Sequence, residues 1–163
     1  MRHHLIGLSV AASVFAVGLF GNSRSMAAST TEPATGPQAT MTKECGACHM
    51  VFPPQFLPAR SWAALMDGLA NHFSETATLD AAIVKEVADY LAAHAADAPG
   101  GDKRYLRGLK ATETPLRITE TPYWIRKHTG EVSPSTFNNP KVKSKANCVA
   151  CHRDAAQGTF GDD

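Results

Sequence analysis

Cys45-Gly46-Ala47-Cys48-His49 and Cys148-Val149-Ala150-Cys151-His152 are two copies of one pentapeptide, and between them they use all four cysteines of the 163-residue chain. Two thiols three positions apart on a helical turn can add to the two vinyl groups of one porphyrin, and the adjacent histidine then reaches the iron. The spacing is that of covalent c-type haem attachment. Two copies imply two haem c groups, with Cys45, Cys48, Cys148 and Cys151 as tethers and His49 and His152 as proximal iron ligands.

Other chemistries fit the cysteines less well. A zinc ribbon sets its Cys-X-X-Cys pairs about 12 to 20 residues apart, whereas here about a hundred positions separate them. A redox dithiol needs no following histidine, and this chain carries one twice. A disulfide framework leaves the repeated histidine equally unexplained.

Working outward, the N-terminus reads as an export signal over residues 1–27. Arg2, His3 and His4 form a basic start, Leu5 to Phe20 an apolar run, and Ser25-Met26-Ala27 or Met26-Ala27-Ala28 offers small residues for cleavage. The run is short for a membrane span, which needs about 20 apolar residues, although an uncleaved anchor is the competing reading. Either reading places the functional part in an oxidising compartment, the periplasm, where haem is attached after export. Residues 28–41, rich in Ser, Thr, Ala and Pro, are expected to be a disordered leader.

The remainder divides at Ala98-Pro99-Gly100-Gly101 into an N-terminal haem domain, 42–99, and a C-terminal haem-binding domain, 100–163. Trp62, Leu65, Met66, Leu69 and Phe73 recur at helical steps and predict a helix over Arg60 to Phe73, with Ser61 as N-cap. Ile83, Val84, Val87, Tyr90 and Leu91 predict a second, from Asp80 to Ala96. Pro122 to His128 reads as a short helix with proline in its first turn, and Lys141 to Cys151 as a helix bearing the second motif. No strand pattern emerges, so the expected fold is all-α and loop-rich. Porphyrin faces offer apolar surface on which short segments such as Val51 to Pro58 can pack, so a modest protein core suffices.

What fills each iron's sixth position decides function. Residues 153–163 contain neither His nor Met, so the second haem is expected to draw its distal ligand from upstream, where His128 is nearest. For the first haem His72 is favoured, as it falls on the apolar side of its predicted helix; His94 and Met66 stay open as alternatives.

Charge is uneven although the net value is only +1. Residues 43–100 carry three basic against seven acidic side chains, and residues 101–153 eleven against four. The cations either pair with haem propionates or form a docking face for an acidic redox partner; nucleic acid is an improbable partner for an exported haem protein. Two function classes compete. With both irons six-coordinate the protein is an electron carrier; with one iron open it is a small haem enzyme of peroxidase or reductase type, for which Glu75 and Arg126 could supply acid and base groups, or a gas sensor.

The run from Glu44 to Trp62, ECGACHMVFPPQFLPARSW, followed by His72-Phe73, Pro115-Leu116-Arg117-Ile118-Thr119, Tyr123-Trp124 with His128, and the second Cys-X-X-Cys-His, resembles the bacterial dihaem cytochrome c family. The likeness extends from Lys43 to about Phe160. It implies a class I cytochrome c-like N-terminal domain, a separate C-terminal haem-bearing segment and bis-histidine irons. By position His49 and His72 would ligate one haem, and His152 and His128 the other. It further implies a periplasmic electron carrier, not an enzyme, that exchanges electrons with a membrane-bound b-type cytochrome and a small monohaem c-type protein. One departure is Ser74, where the family pattern leads us to expect glycine.

Overall fold

The computed structural model describes residues 35–161, so the expected signal segment and the first half of the expected leader lie outside the described residues. The protein is all-α and loop-rich. Among the described residues there are four α-helices, joined by short 3-10 turns: α1 (Pro37–Glu44), α2 (Ala59–Asp67), α3 (Ala81–Ala93) and α4 (Pro122–His128). The only extended pairing among them is an isolated bridge between His72 and Glu75.

Helix α3 is the central prop, and α1 and α2 both pack on it. Its apolar face buries Val87 and Leu91 against Met41 from α1 and Trp62 and Met66 from α2, with Leu57, Ala95 and Ala98 completing the core. Burial of such side chains stabilises by roughly 1.5–3 kcal/mol each. Polar contacts fix the register: the Trp62 indole donates to the Pro54 carbonyl at 2.7 Å, and Gln38 donates to the Tyr90 hydroxyl at 2.6 Å.

The structure corrects several sequence expectations. The end of the expected leader is ordered, since α1 starts at Pro37, a residue suited to a first helical turn, and buries Met41. Helix α2 stops at Asp67 with Gly68 as its C-cap, and a separate 3-10 turn covers Leu69–Asn71, so His72 lies outside any α-helix. The start of α2 is capped by Asp97, whose carboxylate accepts from the Ala59 N–H at 2.7 Å; Ser61 is fully buried and caps nothing. Residues 141–151 do not form an α-helix. Asn139, Ser144 and Asn147 side chains bond the nearby backbone instead, and only Cys148–Ala150 closes a 3-10 turn.

The described residues belong to one compact unit, which contains both sides of the Ala98–Gly101 break. Arg60 crosses the break, donating to the carbonyls of Glu113 at 2.7 Å and Lys110 at 3.1 Å while pairing with Asp97. Phe56 crosses it too, with Tyr105 and Phe160 rings at 4.9 and 4.8 Å.

Candidate haem sites

The first motif begins where α1 ends. Cys45 is the helix C-cap, its N–H donating to the Met41 carbonyl at 2.9 Å, and the chain then turns through Gly46 so closely that a Cβ there would collide with the Thr42 carbonyl oxygen. Cys45 is half-buried and Cys48 exposed; burial, and secondarily the neighbouring Glu44 carboxylate, pushes the Cys45 thiol up from its ordinary range. His49 is held by its Nδ1, which lies 2.6 Å from the Met50 carbonyl, and by a stack with Phe52 at 5.1 Å. That bond leaves Nε2 as the metal-facing nitrogen.

Opposite His49 stands His72, ring centre to ring centre 6.2 Å, with the planes only 24° apart. His72 opens a four-residue turn closed by two backbone bonds, from its own N–H to the Glu75 carbonyl at 2.7 Å and back from Glu75 to His72 at 3.1 Å. The two central residues, Phe73 and Ser74, have φ of 54° and 78°. That conformation favours glycine, which explains the glycine expected at 74. Burial, then the His49 and Arg117 charges, push His72 below its ordinary value and favour the neutral imidazole a metal needs. The groove between α2 and this turn is lined by Ala64, Leu65, Gly68, Asn71, His72, Phe73, Ser74 and Leu116.

The second site is built differently. His128 is the last residue of α4, a helix started by Thr121, whose hydroxyl accepts from the Trp124 N–H at 3.2 Å, and by Pro122 in the first turn. Its Nδ1 lies 2.8 Å from the Trp124 carbonyl and its ring lies flat on the Trp124 indole, 4.0 Å away at 14°. His152, beside the half-buried Cys148 and exposed Cys151, stands 6.2 Å from His128 with the rings nearly perpendicular, at 87°. Phe160 closes on His152 at 5.7 Å. A second groove is lined by residues including Thr119, Glu120, Trp124, His128, Val132, Phe137 and Lys145.

These donor sets fit two haems. A trans pair of imidazoles on one metal needs two bonds of about 2 Å plus roughly 1 Å from each nitrogen to its ring centre, a centre separation of roughly 6 Å. Both pairs meet that distance. Porphyrin supplies the other four nitrogens, so two protein ligands per iron are enough. The four thiols do not converge: among the described residues no cluster of three or more His, Cys, Asp or Glu could hold a metal ion, which leaves a four-thiolate zinc without a site.

The remaining candidates fall elsewhere. His94 is exposed at the end of α3, with Nδ1 2.8 Å from the Tyr90 carbonyl and the ring 4.2 Å from Tyr90. Met41 and Met66 are core residues. The sequence reading did not anticipate Trp124 as the platform for His128, or Phe160 as the neighbour of His152; the step of four from Trp124 to His128 on a helix was the available signal.

Comparisons with known proteins show the family. Residues 41–160 match the family model of dihaem cytochrome c. A solved structure of a dihaem cytochrome c from Rhodobacter sphaeroides is 51% identical, with a TM-score of 0.70 over 74% of this chain and 94% of that one. A second Rhodobacter sphaeroides structure is 45% identical, with a TM-score of 0.64 over 79% and 100% of the two chains. A dihaem c-type cytochrome from Shewanella baltica OS155 is 36% identical, with a TM-score of 0.64 over 78% and 89%. No curated protein matches. With two Cys-X-X-Cys-His motifs, an all-α fold and this likeness over most of its length, the chain belongs to the dihaem cytochrome c family and carries two haem c groups.

Proposed function

We propose that this protein is a periplasmic electron carrier whose two irons are each closed by two histidines, His49 with His72 and His128 with His152. The observation that carries this reading is the 6.2 Å separation within both pairs. When bound, each haem supplies a one-electron couple, and two nitrogen ligands favour a lower potential than a histidine with methionine. The chain's own residues do the rest. Cys45, Cys48, Cys148 and Cys151 tether; the Met50 and Trp124 carbonyls fix the His49 and His128 rings; Phe52, Trp124, Phe137 and Phe160 shield the ring pairs from water. A closed sixth position leaves no site for substrate, which favours carriage over catalysis. Of the groups a peroxidase would recruit, Arg126 lies on the Tyr123 ring, 5.4 Å from its centre, and Glu75 joins the His72 turn through its backbone alone.

Among the described residues no helix is long and apolar enough to cross a membrane. An export signal at 1–27 accounts for a periplasmic location. For partners, the reading takes a membrane-bound b-type cytochrome and a small monohaem c-type protein, met through the basic C-terminal half. Lys141, Lys143 and Lys145 are exposed and pair with no carboxylate among the described residues, and Lys145 lies 5.9 Å from the Trp124 ring of the second site. Charges so placed steer an acidic partner.

Ferric EPR and optical spectra, repeated on the reduced protein under carbon monoxide, test the core of the reading. Two low-spin signals and no carbon monoxide shift are expected, and the signals should differ in shape because ring planes at 24° and 87° split the iron orbitals differently. A high-spin signal that an added ligand abolishes would move the enzyme or sensor reading to first place. For the docking face, reversing Lys141, Lys143 and Lys145 to Glu should slow electron exchange with an acidic partner at low salt and matter little at high salt. An unchanged low-salt rate would refute it.

A further inference from the structure

The stretch Leu116–Glu120 has no part in the tethers or ligands, yet it runs between the two sites. Leu116 lines the groove of His72, while Thr119 and Glu120 line the groove of His128. Between them Arg117 turns back toward the first site. Its guanidinium carbon lies 3.9 Å from the centre of the Phe73 ring, and its Nε is 3.7 Å from a Glu120 carboxylate oxygen. Phe73 in turn packs edge-on against His72 at 4.8 Å and 63°.

That contact falls where the backbone needs support. Phe73 and Ser74 both hold positive φ without being glycine, a conformation that persists only where surrounding contacts over-determine it. The Phe73 side chain is 39% exposed, so the core does not grip it. It is held by the two His72–Glu75 backbone bonds and the edge of the His72 ring on one side and by the Arg117 guanidinium on the other. The geometry points to Arg117, a residue of the C-terminal half, as the positioning residue that clamps the Phe73–Ser74 turn and thereby keeps the His72 imidazole opposite His49. This rests on the reading that His72 is the distal ligand of the first haem. It makes the first site dependent on the segment that also walls the second, so the two halves cannot be exchanged as independent haem modules.

The test is carbon monoxide binding to the reduced holoprotein, read optically, with EPR of the oxidised protein showing which haem loses its low-spin signal. Arg117→Gln should raise the carbon monoxide-accessible fraction of the first haem roughly twofold to fivefold, the factor an exposed arginine–aromatic contact is worth, and leave the second haem's signal in place. Arg117→Lys, which keeps the cation, should fall between wild type and Arg117→Gln. Adding Ser74→Gly to Arg117→Gln removes part of the backbone strain, so it should return accessibility toward the wild-type level. If the wild-type first haem already binds carbon monoxide, the His72 reading itself fails. If wild type is closed and Arg117→Gln is equally closed, the clamp is overturned while the ligand assignment stands. Equal opening of both haems, or no rescue by Ser74→Gly, also overturns it, because a general loss of structure would not be specific to the turn.

Discussion

The same pentapeptide sits on two unlike scaffolds in this molecule. Cys45 to His49 continues the end of an α-helix whose Met41 reaches into the core of α2 and α3, and its Gly46 fits only because it has no Cβ. Cys148 to His152 occupies a 3-10 turn among irregular segments, with Val149 46% exposed at the position corresponding to Gly46. Beyond residue 100 the buried residues among those described are Thr121, Val142 and Ala155, against eleven in the first half of the fold. Covalent attachment therefore does not demand one backbone. What differs is the source of cohesion: packed aliphatic and aromatic side chains in the first half, and in the second a ring of aromatics around the His128–His152 pair that has porphyrin to pack on.

The largest test of this contrast removes the second haem. Cys148→Ser with Cys151→Ser should abolish hydrogen-exchange protection in α4 and the turns after it, while α2 and α3 stay protected. Equal loss in α2 and α3 would show that the first half has no cohesion of its own, and the contrast would be broken. A smaller effect should separate the two motifs at their second positions. Gly46→Ala is expected to cost about 1–3 kcal/mol in chemical denaturation, because backbone must shift to admit the methyl group. Val149→Ala, at an exposed site, should change stability by less than about 0.5 kcal/mol. Similar values for the two would mean that α1 yields as easily as the C-terminal turn. The remaining substitution is expected to be a gain: Ser74→Gly should stabilise the protein by about 1 kcal/mol by relieving a left-handed residue, net of the added freedom of glycine in the unfolded chain. A loss of stability there would point to a Ser74 contact stronger than the strain.

Where local chemistry governs, the fold was legible in the sequence. Helix α4 matches the expected span because Thr121 and Pro122 are start signals that act within one turn, and α3 follows its apolar period closely. Expectations failed where a distant or competing group intervened. Asp97 caps α2 from 38 positions away, which no local motif announces. The apolar steps from Trp62 to Phe73 fit one helix, yet Gly68 ends α2, and the glycine itself was the overlooked signal. The stretch from Lys141 forms no α-helix because the Asn139, Ser144 and Asn147 side chains offer the backbone other partners. Composition made residues 28–41 look disordered, but Met41 has a core to enter.

By itself the sequence determines that two haems are attached and at which cysteines, because thiol spacing and the adjacent histidine are covalent, local facts. It favours His128 for the second haem and His72 for the first, with His94 and Met66 left open there. Only the tertiary structure decides that His72 and His128 stand opposite His49 and His152, at 24° and 87°, because ring pairing joins residues 23 and 24 positions apart through turns and packing that no motif spells out.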